Sequence, residues 1–430
     1  MARRLVLAVL FAATLAGCGT VAVPVAPIVA APPGAGTVAT IDPRRIDAAL
    51  KAFIDKGQLV GVSALVFRDD REVYFGAFGL ADREAHLAMA RDTLIQIYSM
   101  TKPVTGTALL TLYEQGRFKL DDPVGKYIPE LADMKVFDGF DAAGKPILET
   151  PRRAITILDL MRHTSGLTYG NSGVKYVDDA FARLDPLNHG NSLAQMVQKL
   201  GQMPLVFHPG EHWLYSPAVD VQALLVERLS GEPFDTYLEE HIFAPLRMTQ
   251  TGRFVGADRR NGLAALYDWH EDGALTRVPD DRAFTTNTQH LPLTQGGAGL
   301  VSTLDDYMRF ARMLENEGEL DGVRILKRET VRLMSTNQLP AEITDRSWLP
   351  SKGRVGFGLD VAVRTAQPQG DEAAGTVGEF FWDGAANTLF FVDPVNRITA
   401  VLFTQYFPFG KVPLHKSFRD AVYGVPTPSP

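Results

Sequence analysis

Strand-like segments at both ends of the chain, with helical segments between them, limit the folds that this sequence can adopt. The strand-like segments are rich in β-branched and aromatic residues and are joined by connections of hairpin length. They cover residues 60–67, 73–78, 357–363, 377–382, 388–392 and 398–404. We therefore predict an α+β fold in which the two ends of the chain complete one antiparallel sheet, flanked by helices.

The middle of the chain has helical periodicity and little strand signal. Each helical segment there ends at a cluster of Gly, Pro or Ser residues. These predicted helices cover residues 193–200, 219–229 and 236–242. The sequence therefore predicts an inserted, mostly α-helical lobe at about 120–294, with the sheet carried by the segments at about 42–119 and 295–425.

The start of the chain has the pattern of a bacterial export signal. Arg3 and Arg4 precede an apolar run at 5–15 that is too short to span a bilayer. The run leads into L-A-G-C ending at Cys18, which resembles the lipobox of bacterial lipoproteins, where the cysteine is lipidated. Cys18 is the only cysteine, so it can form no intrachain disulfide. We predict a lipoprotein signal peptide at 1–18; the alternative is an ordinary cleaved signal with a chance cysteine.

A segment without charges or periodicity follows the signal. Residues 19–41 are rich in Ala, Pro, Val and Gly and are predicted to be a tether. The expected location is the cell envelope, with the chain anchored to a membrane through Cys18 and facing the periplasm or the outer surface. A formal net charge of −7 gives no electrostatic reason to bind nucleic acid, and no later apolar run is long enough to cross a membrane.

An S-x-x-K sequence, from Ser99 to Lys102, opens a predicted amphipathic helix that ends near Gly116. The first N–H groups of a helix lack internal partners and carry partial positive charge, which suits an oxyanion forming beside Ser99. Lys102 falls about one turn along the helix, within reach of the Ser99 hydroxyl, and a neighbouring amine can take the proton of a serine. The pair is typical of nucleophilic catalysis, although a serine at a helix start can also be a simple cap.

Two later stretches offer the other functions that a catalytic serine needs. Tyr215 begins a Y-S-P sequence ending at Pro217, on a loop before a predicted helix, where its hydroxyl could deliver a proton to a leaving group. Trp382 begins a W-D-G sequence ending at Gly384, at the end of a predicted strand, where backbone N–H groups can face a cleft. Both stretches are therefore candidates for the same active site.

These three motifs, in this order, resemble those of the serine β-lactamase and penicillin-binding-protein superfamily, with spacing nearest to class C β-lactamases and family VIII carboxylesterases. The resemblance covers the chain from about residue 43 onward and implies a serine β-lactamase/DD-peptidase-like fold. It implies that Ser99 is the acylated nucleophile, Lys102 its activating partner and Tyr215 the second base and acid. The N–H groups of Ser99 and Ala385 would form the oxyanion hole. No metal or organic cofactor is expected, and whether Lys102 or Tyr215 is the resting base stays open.

Two departures from the β-lactamase pattern bear on the substrate. The third motif usually starts with a lysine that anchors a carboxylate, and its replacement by Trp382 removes a contact of about 1.5 to 3 kcal/mol. The second motif usually ends in asparagine, whereas Pro217 has no side-chain donor. Trp382, Gly384 and Pro217 are accordingly the predicted substrate-binding residues, with Trp382 as an apolar wall.

The favoured function is therefore hydrolysis of a small-molecule ester, with short acyl chains preferred. One alternative is a β-lactamase, a D-alanyl-D-alanine carboxypeptidase or an aminopeptidase-type amide hydrolase. Another is a non-catalytic envelope binding protein, which the presence of Ser99, Lys102 and Tyr215 together disfavours.

Other polar and aromatic residues have structural interpretations. His208 and His212 flank Pro-Gly-Glu in the wrong order for H-E-x-x-H, and Pro-Gly prevents the helix that would aim both rings at one metal, so no metal site is predicted. His163 precedes a turn and is interpreted as a structural hydrogen-bonding residue. Trp213 and Trp348 could line a pocket or pack in the core.

Overall fold

The computed structural model describes residues 40–425, and the first and last parts of this range meet in one eight-stranded antiparallel sheet. The strands, in chain order, are β1 Gly61–Arg68, β2 Arg71–Asp82, β3 Leu87–Ala88, β4 Ile95–Gln96, β5 Val136–Phe140, β6 Pro146–Glu149, β7 Tyr267–Trp269, β8 Leu275–Arg277, β9 Val301–Ser302, β10 Glu319–Leu320, β11 Val323–Arg324, β12 Val355–Phe357, β13 Ala362–Arg364, β14 Phe380–Asp383, β15 Leu389–Asp393, β16 Ile398–Phe403 and β17 Tyr406–Phe407. The large sheet has the order β12-β13-β14-β15-β16-β1-β2-β3. The predicted α+β fold is confirmed.

Helices cover the sheet and build the middle of the chain. They are α1 Pro43–Asp55, α2 Thr101–Glu114, α3 Ile157–Met161, α4 Lys175–Leu184, α5 Leu193–Leu200, α6 Ala218–Ser230, α7 Phe234–Leu238, α8 Ala244–Leu246, α9 Asp280–Ala283, α10 Thr285–Thr288, α11 Leu304–Glu315, α12 Arg328–Met334 and α13 Leu414–Tyr423. The first and last helices, α1 and α13, pack together on the sheet. Within residues 40–425, no helix has both the length and the apolar character that a membrane crossing requires.

The join between the two ends of the chain lies between β1 and β16. Ser63 of β1 is paired with Phe403 of β16 on one side and with Ala77 of β2 on the other. The β1–β2 connection is the tight turn Asp69-Asp70, in which both residues have positive φ, as a type I′ hairpin turn requires. The N-terminal hairpin therefore extends the sheet that the C-terminal strands begin.

The predicted strand at 357–363 is wrong, because the chain turns in its middle. The structure has two paired strands there, β12 and β13, with Asp360 in the left-handed region at a φ of 59° between them. The Asp360 side chain is buried and accepts a hydrogen bond from Gln222 of α6 at 3.1 Å. A contact with a distant helix therefore fixes this turn, and no local pattern reveals it.

The inserted lobe contains two small hairpins as well as helices. β5 pairs with β6, and β7 pairs with β8, although their mixed composition gave no strand signal. β7 also pairs in parallel with β17, so the end of the lobe is tied to the C-terminal part of the chain.

The helix after Ser99 is not amphipathic, contrary to the sequence prediction. Every residue of α2 from Thr101 to Leu110 is buried, because the helix packs against α6 and α7 of the lobe. Its buried hydroxyls are hydrogen-bonded: Thr105 donates to the Gly296 carbonyl at 2.7 Å and Thr107 to the Pro103 carbonyl at 2.8 Å. The helix therefore carries Lys102 into the interior.

The predicted signal peptide, Cys18 and nearly all of the tether lie outside the described residues. The proposed domain boundaries remain predictions.

Candidate active site

Ser99 lies in a 3₁₀ turn, Tyr98–Met100, that runs directly into α2. Tyr98 has a φ of 45°, a left-handed conformation that costs energy in a bulky residue and is held by the surrounding structure. The Tyr307 hydroxyl of α11 donates to the Met100 carbonyl at 2.8 Å, and β14 packs on the turn from the other side. The half-buried Ser99 is therefore presented by a rigid, strained turn.

Lys102 is buried directly beside Ser99. Its Nζ donates to Ser99 Oγ at 3.2 Å and to the Gly297 carbonyl at 2.7 Å, and the residue is only 2% exposed. Burial lowers the pKa of Lys102 to about 8, because the charged ammonium loses its hydration, while the carboxylates of Asp220 and Asp360 act in the opposite direction. An amine with this pKa is partly neutral near pH 7 and can accept the serine proton.

Asp220 supports this lysine through one intervening residue. Its Oδ1 accepts the Gly297 N–H at 3.0 Å, and the carbonyl of the same Gly297 accepts from Lys102. The carboxyl is buried, and burial raises its pKa above the ordinary value. The sequence analysis missed Asp220; its position in the first turn of a helix that begins just after Tyr215 is the one signal that could have indicated it.

Tyr215 packs against Lys102 on the other face of the ammonium-bearing cluster through its ring rather than through a hydrogen bond. The Lys102 Nζ is 4.6 Å from the centre of the Tyr215 ring. The hydroxyl oxygen is buried and has no hydrogen-bond partner of normal geometry among the described residues, although Ser99 and Trp382 are close enough to favour its anion. Burial dominates and raises the pKa of Tyr215 well above its ordinary value. Since burial shifts the two pKa values in opposite directions, we infer that Lys102 is the base at rest and Tyr215 a protonated acid.

His163 packs behind Tyr215 and belongs to the supporting structure. The two rings lie 4.8 Å apart, and His163 Nδ1 is 3.3 Å from the Ser216 hydroxyl. Complete burial lowers the pKa of His163 well below its ordinary value, so the ring is neutral. Its backbone carbonyl also accepts the Leu214 N–H at 2.9 Å, which fixes the loop that carries Tyr215.

The turn after β14 lies against the segment before the serine. A Cβ on Gly384 would be 2.4 Å from the Ile97 carbonyl oxygen and 2.2 Å from Thr388 Oγ1, so only glycine permits this approach. The next residue, Ala385, is exposed, and its N–H donates no hydrogen bond within the described part of the chain. A free N–H next to the nucleophile's turn is what an oxyanion hole requires, and Ser99 and Ala385 remain the predicted donors.

Trp382 and Pro217 are buried beneath the site and do not form its accessible surface. Trp382 is 1% exposed and lies 5.6 Å from Tyr215 and 5.3 Å from Phe357, measured between ring centres. Pro217 is buried at the start of α6, where its carbonyl accepts the Asp220 N–H at 3.0 Å. Their proposed contacts with substrate remain predictions.

The two histidines rejected as metal ligands have other neighbours. His208 Nδ1 accepts the Arg152 backbone N–H at 3.3 Å, and His212 lies 3.6 Å from the Asp345 carboxylate. Both residues therefore take part in contacts around the loop that leads to Tyr215.

Residues 46–423 match the protein family described as Beta-lactamase. The chain belongs to the β-lactamase family. It is 37% identical over 367 residues to Protein Rv1367c of Mycobacterium tuberculosis, across 84% of this chain and 89% of that protein. It is 30% identical over 405 residues to Esterase EstB of Burkholderia gladioli, across 88% and 94% of the two chains. Among solved structures, "EstCE1, a hydrolase with promiscuous acyltransferase activity" superposes with a TM-score of 0.73 at 27% identity, covering 89% of this chain and 98% of the other.

These similarities confirm the resemblance that the three motifs indicated, and with it the β-lactamase-like fold. Relatives within this family include esterases and acyltransferases.

Proposed function

We propose that this protein is a carboxylesterase that cleaves short-chain esters through an acyl-enzyme on Ser99. The observation that supports this most strongly is the buried Lys102 amine, 3.2 Å from Ser99 Oγ, with a pKa lowered to about 8. A buried amine in this state serves no purpose in packing, and it is the activating group that a serine nucleophile needs.

Acylation follows from the arrangement of these side chains. Neutral Lys102 accepts the proton of Ser99 while Oγ attacks the ester carbonyl, and the resulting oxyanion is bound by the N–H groups of Ser99 and Ala385. Tyr215 donates its proton to the departing alkoxide as the C–O bond breaks. The Lys102 ammonium then returns a proton to the Tyr215 oxygen, so both groups regain their resting states.

Deacylation uses the same residues in reverse order. A water molecule takes the place of the alcohol and loses its proton to Lys102 through Tyr215 as it attacks the acyl carbonyl. The second oxyanion collapses, the bond to Ser99 Oγ breaks, and Oγ takes the proton back from the Lys102 ammonium as the carboxylic acid is released. The cycle consumes one ester and one water and leaves the enzyme unchanged.

Two residues favour esters over β-lactams and peptides. Trp382 replaces the lysine that would anchor a carboxylate, and Pro217 offers no side-chain donor for an acyl amide. The esterase relatives agree with this choice. Hydrolysis of β-lactams or D-alanyl peptides is the alternative.

The test compares p-nitrophenyl butyrate and nitrocefin hydrolysis by protein lacking residues 1–18, with Ser99→Ala as the control. We expect the ester to turn over orders of magnitude faster than nitrocefin and Ser99→Ala to abolish the activity. Dominant nitrocefin turnover would contradict the esterase proposal, and absence of both activities would favour a binding role.

We further propose that the protein is an exported lipoprotein anchored through Cys18. The L-A-G-C sequence after a short apolar run supports this. Labelling with a radioactive fatty acid in the bacterial host should mark the wild type and not Cys18→Ser; an unlabelled wild type would contradict lipidation.

A further inference from the structure

The proposed chemistry fixes which side of the site receives the alcohol part of an ester. Tyr215 protonates the leaving oxygen, so the alcohol must lie within hydrogen-bond distance of the Tyr215 hydroxyl. The solvent-accessible surface next to Tyr215 therefore contacts the carbon skeleton of the alcohol. The acyl part, bonded to Ser99 after the first step, must lie elsewhere.

The exposed surface next to Tyr215 is the indole of Trp348. The Trp348 ring meets the Tyr215 ring edge-on, with centres 5.3 Å apart, and the residue is 39% exposed. Among its other aromatic neighbours, Trp213 and Trp382 are each 1% exposed and His163 is fully buried. Tyr169, with its ring centre 5.6 Å from that of Tyr215, is partly buried, so Trp348 is the most exposed ring of the group. The aromatic cluster behind Tyr215 thus reaches solvent at Trp348.

The loop that carries Trp348 is held in place by a nearly buried ion pair. Lys352 forms this pair with Asp383 of β14, and the two side chains are 7% and 10% exposed. The Lys352 Nζ also lies 5.2 Å from the ring centres of both Trp348 and Trp382. At the other end of the loop, the Asp345 carbonyl accepts a hydrogen bond from the backbone N–H of Trp213 at 3.0 Å. Trp348 is therefore a preorganised surface, which reduces the entropy cost of binding.

The same ion pair removes charge from this surface. Because Asp383 neutralises Lys352, the ammonium next to the indole is already paired and is a poor anchor for a carboxylate. A flat aromatic face whose neighbouring ammonium is already paired favours apolar groups and, above all, other rings.

We propose that Trp348 is the binding surface for the alcohol part of the ester and selects substrates with bulky apolar or aromatic alcohols. This inference rests on the proposed esterase function and names the alcohol class that the site accepts. Lys352 is a positioning residue in this scheme, because it acts through Trp348.

The test uses ethyl butyrate and 2-phenylethyl butyrate, which share an acyl group and release primary alcohols of similar acidity. We expect the full-length wild type to favour 2-phenylethyl butyrate about tenfold in kcat/KM, the range that a well-matched apolar pocket provides. Trp348→Ala should abolish this preference, mainly by raising KM for the phenylethyl ester. Trp348→Phe should retain most of it.

The matched control is Phe409→Ala. Phe409 is also an exposed aromatic residue beside Lys352: it is 46% exposed, and its ring centre lies 4.8 Å from the Lys352 Nζ. Within the described part of the chain its ring contacts His415 and not Tyr215. This variant should keep the wild-type preference.

Lys352→Met should weaken the preference less than Trp348→Ala does. In all variants the ratio of kcat/KM for ethyl hexanoate to kcat/KM for ethyl butyrate should stay at its wild-type value, because these two esters differ only in the acyl group.

A wild type that hydrolyses both butyrates equally would overturn the inference and leave the esterase proposal intact. Trp348→Ala could instead lower kcat/KM for ethyl butyrate and for 2-phenylethyl butyrate by the same factor, or change the preference for ethyl hexanoate over ethyl butyrate. Either result would also overturn the inference. Calorimetry of 2-phenylethanol binding to Ser99→Ala provides a measurement that needs no turnover. We expect 2-phenylethanol to bind Ser99→Ala. Adding Trp348→Ala to this variant should remove the binding, and adding Phe409→Ala should preserve it. Binding that Trp348→Ala leaves unaffected would contradict the proposal.

Discussion

Lys102 and Tyr215 reach the same serine from two very different surroundings. Lys102 lies over a polar network, with the Gly297 carbonyl at 2.7 Å and the carboxyl of Asp220 one hydrogen bond further away. Tyr215 is enclosed by rings, with His163 and Trp348 centred 4.8 and 5.3 Å from its own. The surroundings of Lys102 are therefore mainly polar and those of Tyr215 mainly aromatic.

This difference explains how burial prepares both groups for catalysis. Loss of hydration disfavours the charged form of either group, so it lowers the pKa of the lysine and raises that of the tyrosine. Nearby carboxylates offset part of the fall in the pKa of Lys102, and the carboxylates of Asp220 and Asp383 add to the rise in the pKa of Tyr215. The outcome is a base that is partly neutral near pH 7 beside an acid that keeps its proton.

The largest effect is expected on the polar side. Lys102→Met keeps the length of the side chain but removes the base, and should lower kcat for p-nitrophenyl butyrate about 10²- to 10⁴-fold. Steady-state kinetics provide the measurement. Thermal unfolding that matches the wild type shows that the variant is folded. Activity within tenfold of wild type would assign the base to another group.

The second-largest effect is expected for Tyr215→Phe, which tests acid catalysis of leaving-group departure. Tyr215→Phe removes the proton donor and should lower kcat/KM for ethyl butyrate about 10²-fold. The loss for p-nitrophenyl butyrate should be much smaller, since p-nitrophenolate leaves without protonation. Equal losses for the two esters would show that Tyr215 does not act as the acid for the leaving group.

A smaller effect concerns pH dependence. The reactive form of Lys102 is neutral, so kcat/KM should rise with pH through about 8, the pKa of this amine. The Asp220 carboxylate favours the ammonium, so Asp220→Asn should lower the lysine pKa further and move the acid limb to lower pH. Asp360 and Asp383 act in the same direction as Asp220 and remain in the variant, while His163 is neutral.

The matched control for this profile is Asp179→Asn. Asp179 is an exposed acid of α4 whose carboxylate pairs with Lys175. An acid limb that stays in place in Asp220→Asn, or that moves equally in the control, would contradict the role given to Asp220.

The smallest effect is expected on the aromatic side. His163→Phe keeps a ring against Tyr215 and loses only the 3.3 Å contact with the Ser216 hydroxyl, so kcat should fall less than tenfold. His163→Ala opens a cavity behind Tyr215 and should cost about 2 to 4 kcal/mol of unfolding free energy. Chemical denaturation and steady-state kinetics of both variants check this. A loss in His163→Phe as large as that in Lys102→Met would give His163 a chemical role.

The sequence predicted the parts of the site that rest on local signals. The helix start at Ser99, the hairpin β1–β2 and helices α5 and α6 are marked by periodicity, caps and turn residues within a few positions of each element. The order of the three motifs then placed Ser99, Lys102 and Tyr215 in one site by resemblance.

The missed features all depend on contacts between distant segments. Asp220 reaches Lys102 only through Gly297, and the turn at Asp360 is held by Gln222 of another element. Trp382 was predicted to be an apolar wall of the substrate site; its side chain is 1% exposed, whereas Trp348, on a loop fixed by a long-range ion pair with Asp383, is 39% exposed. A local pattern cannot say which of two tryptophans faces solvent, because burial is decided by tertiary packing.

The most direct test of the account is to identify the residue that carries the acyl group. The protein is mixed with p-nitrophenyl butyrate, quenched in acid within the first turnovers, digested and analysed by mass spectrometry, with Ser99→Ala treated in parallel. The account predicts one butyryl group on the peptide that contains Ser99 and none in the variant. Esterase activity with no butyrylated Ser99, or with the label on another residue, would contradict it.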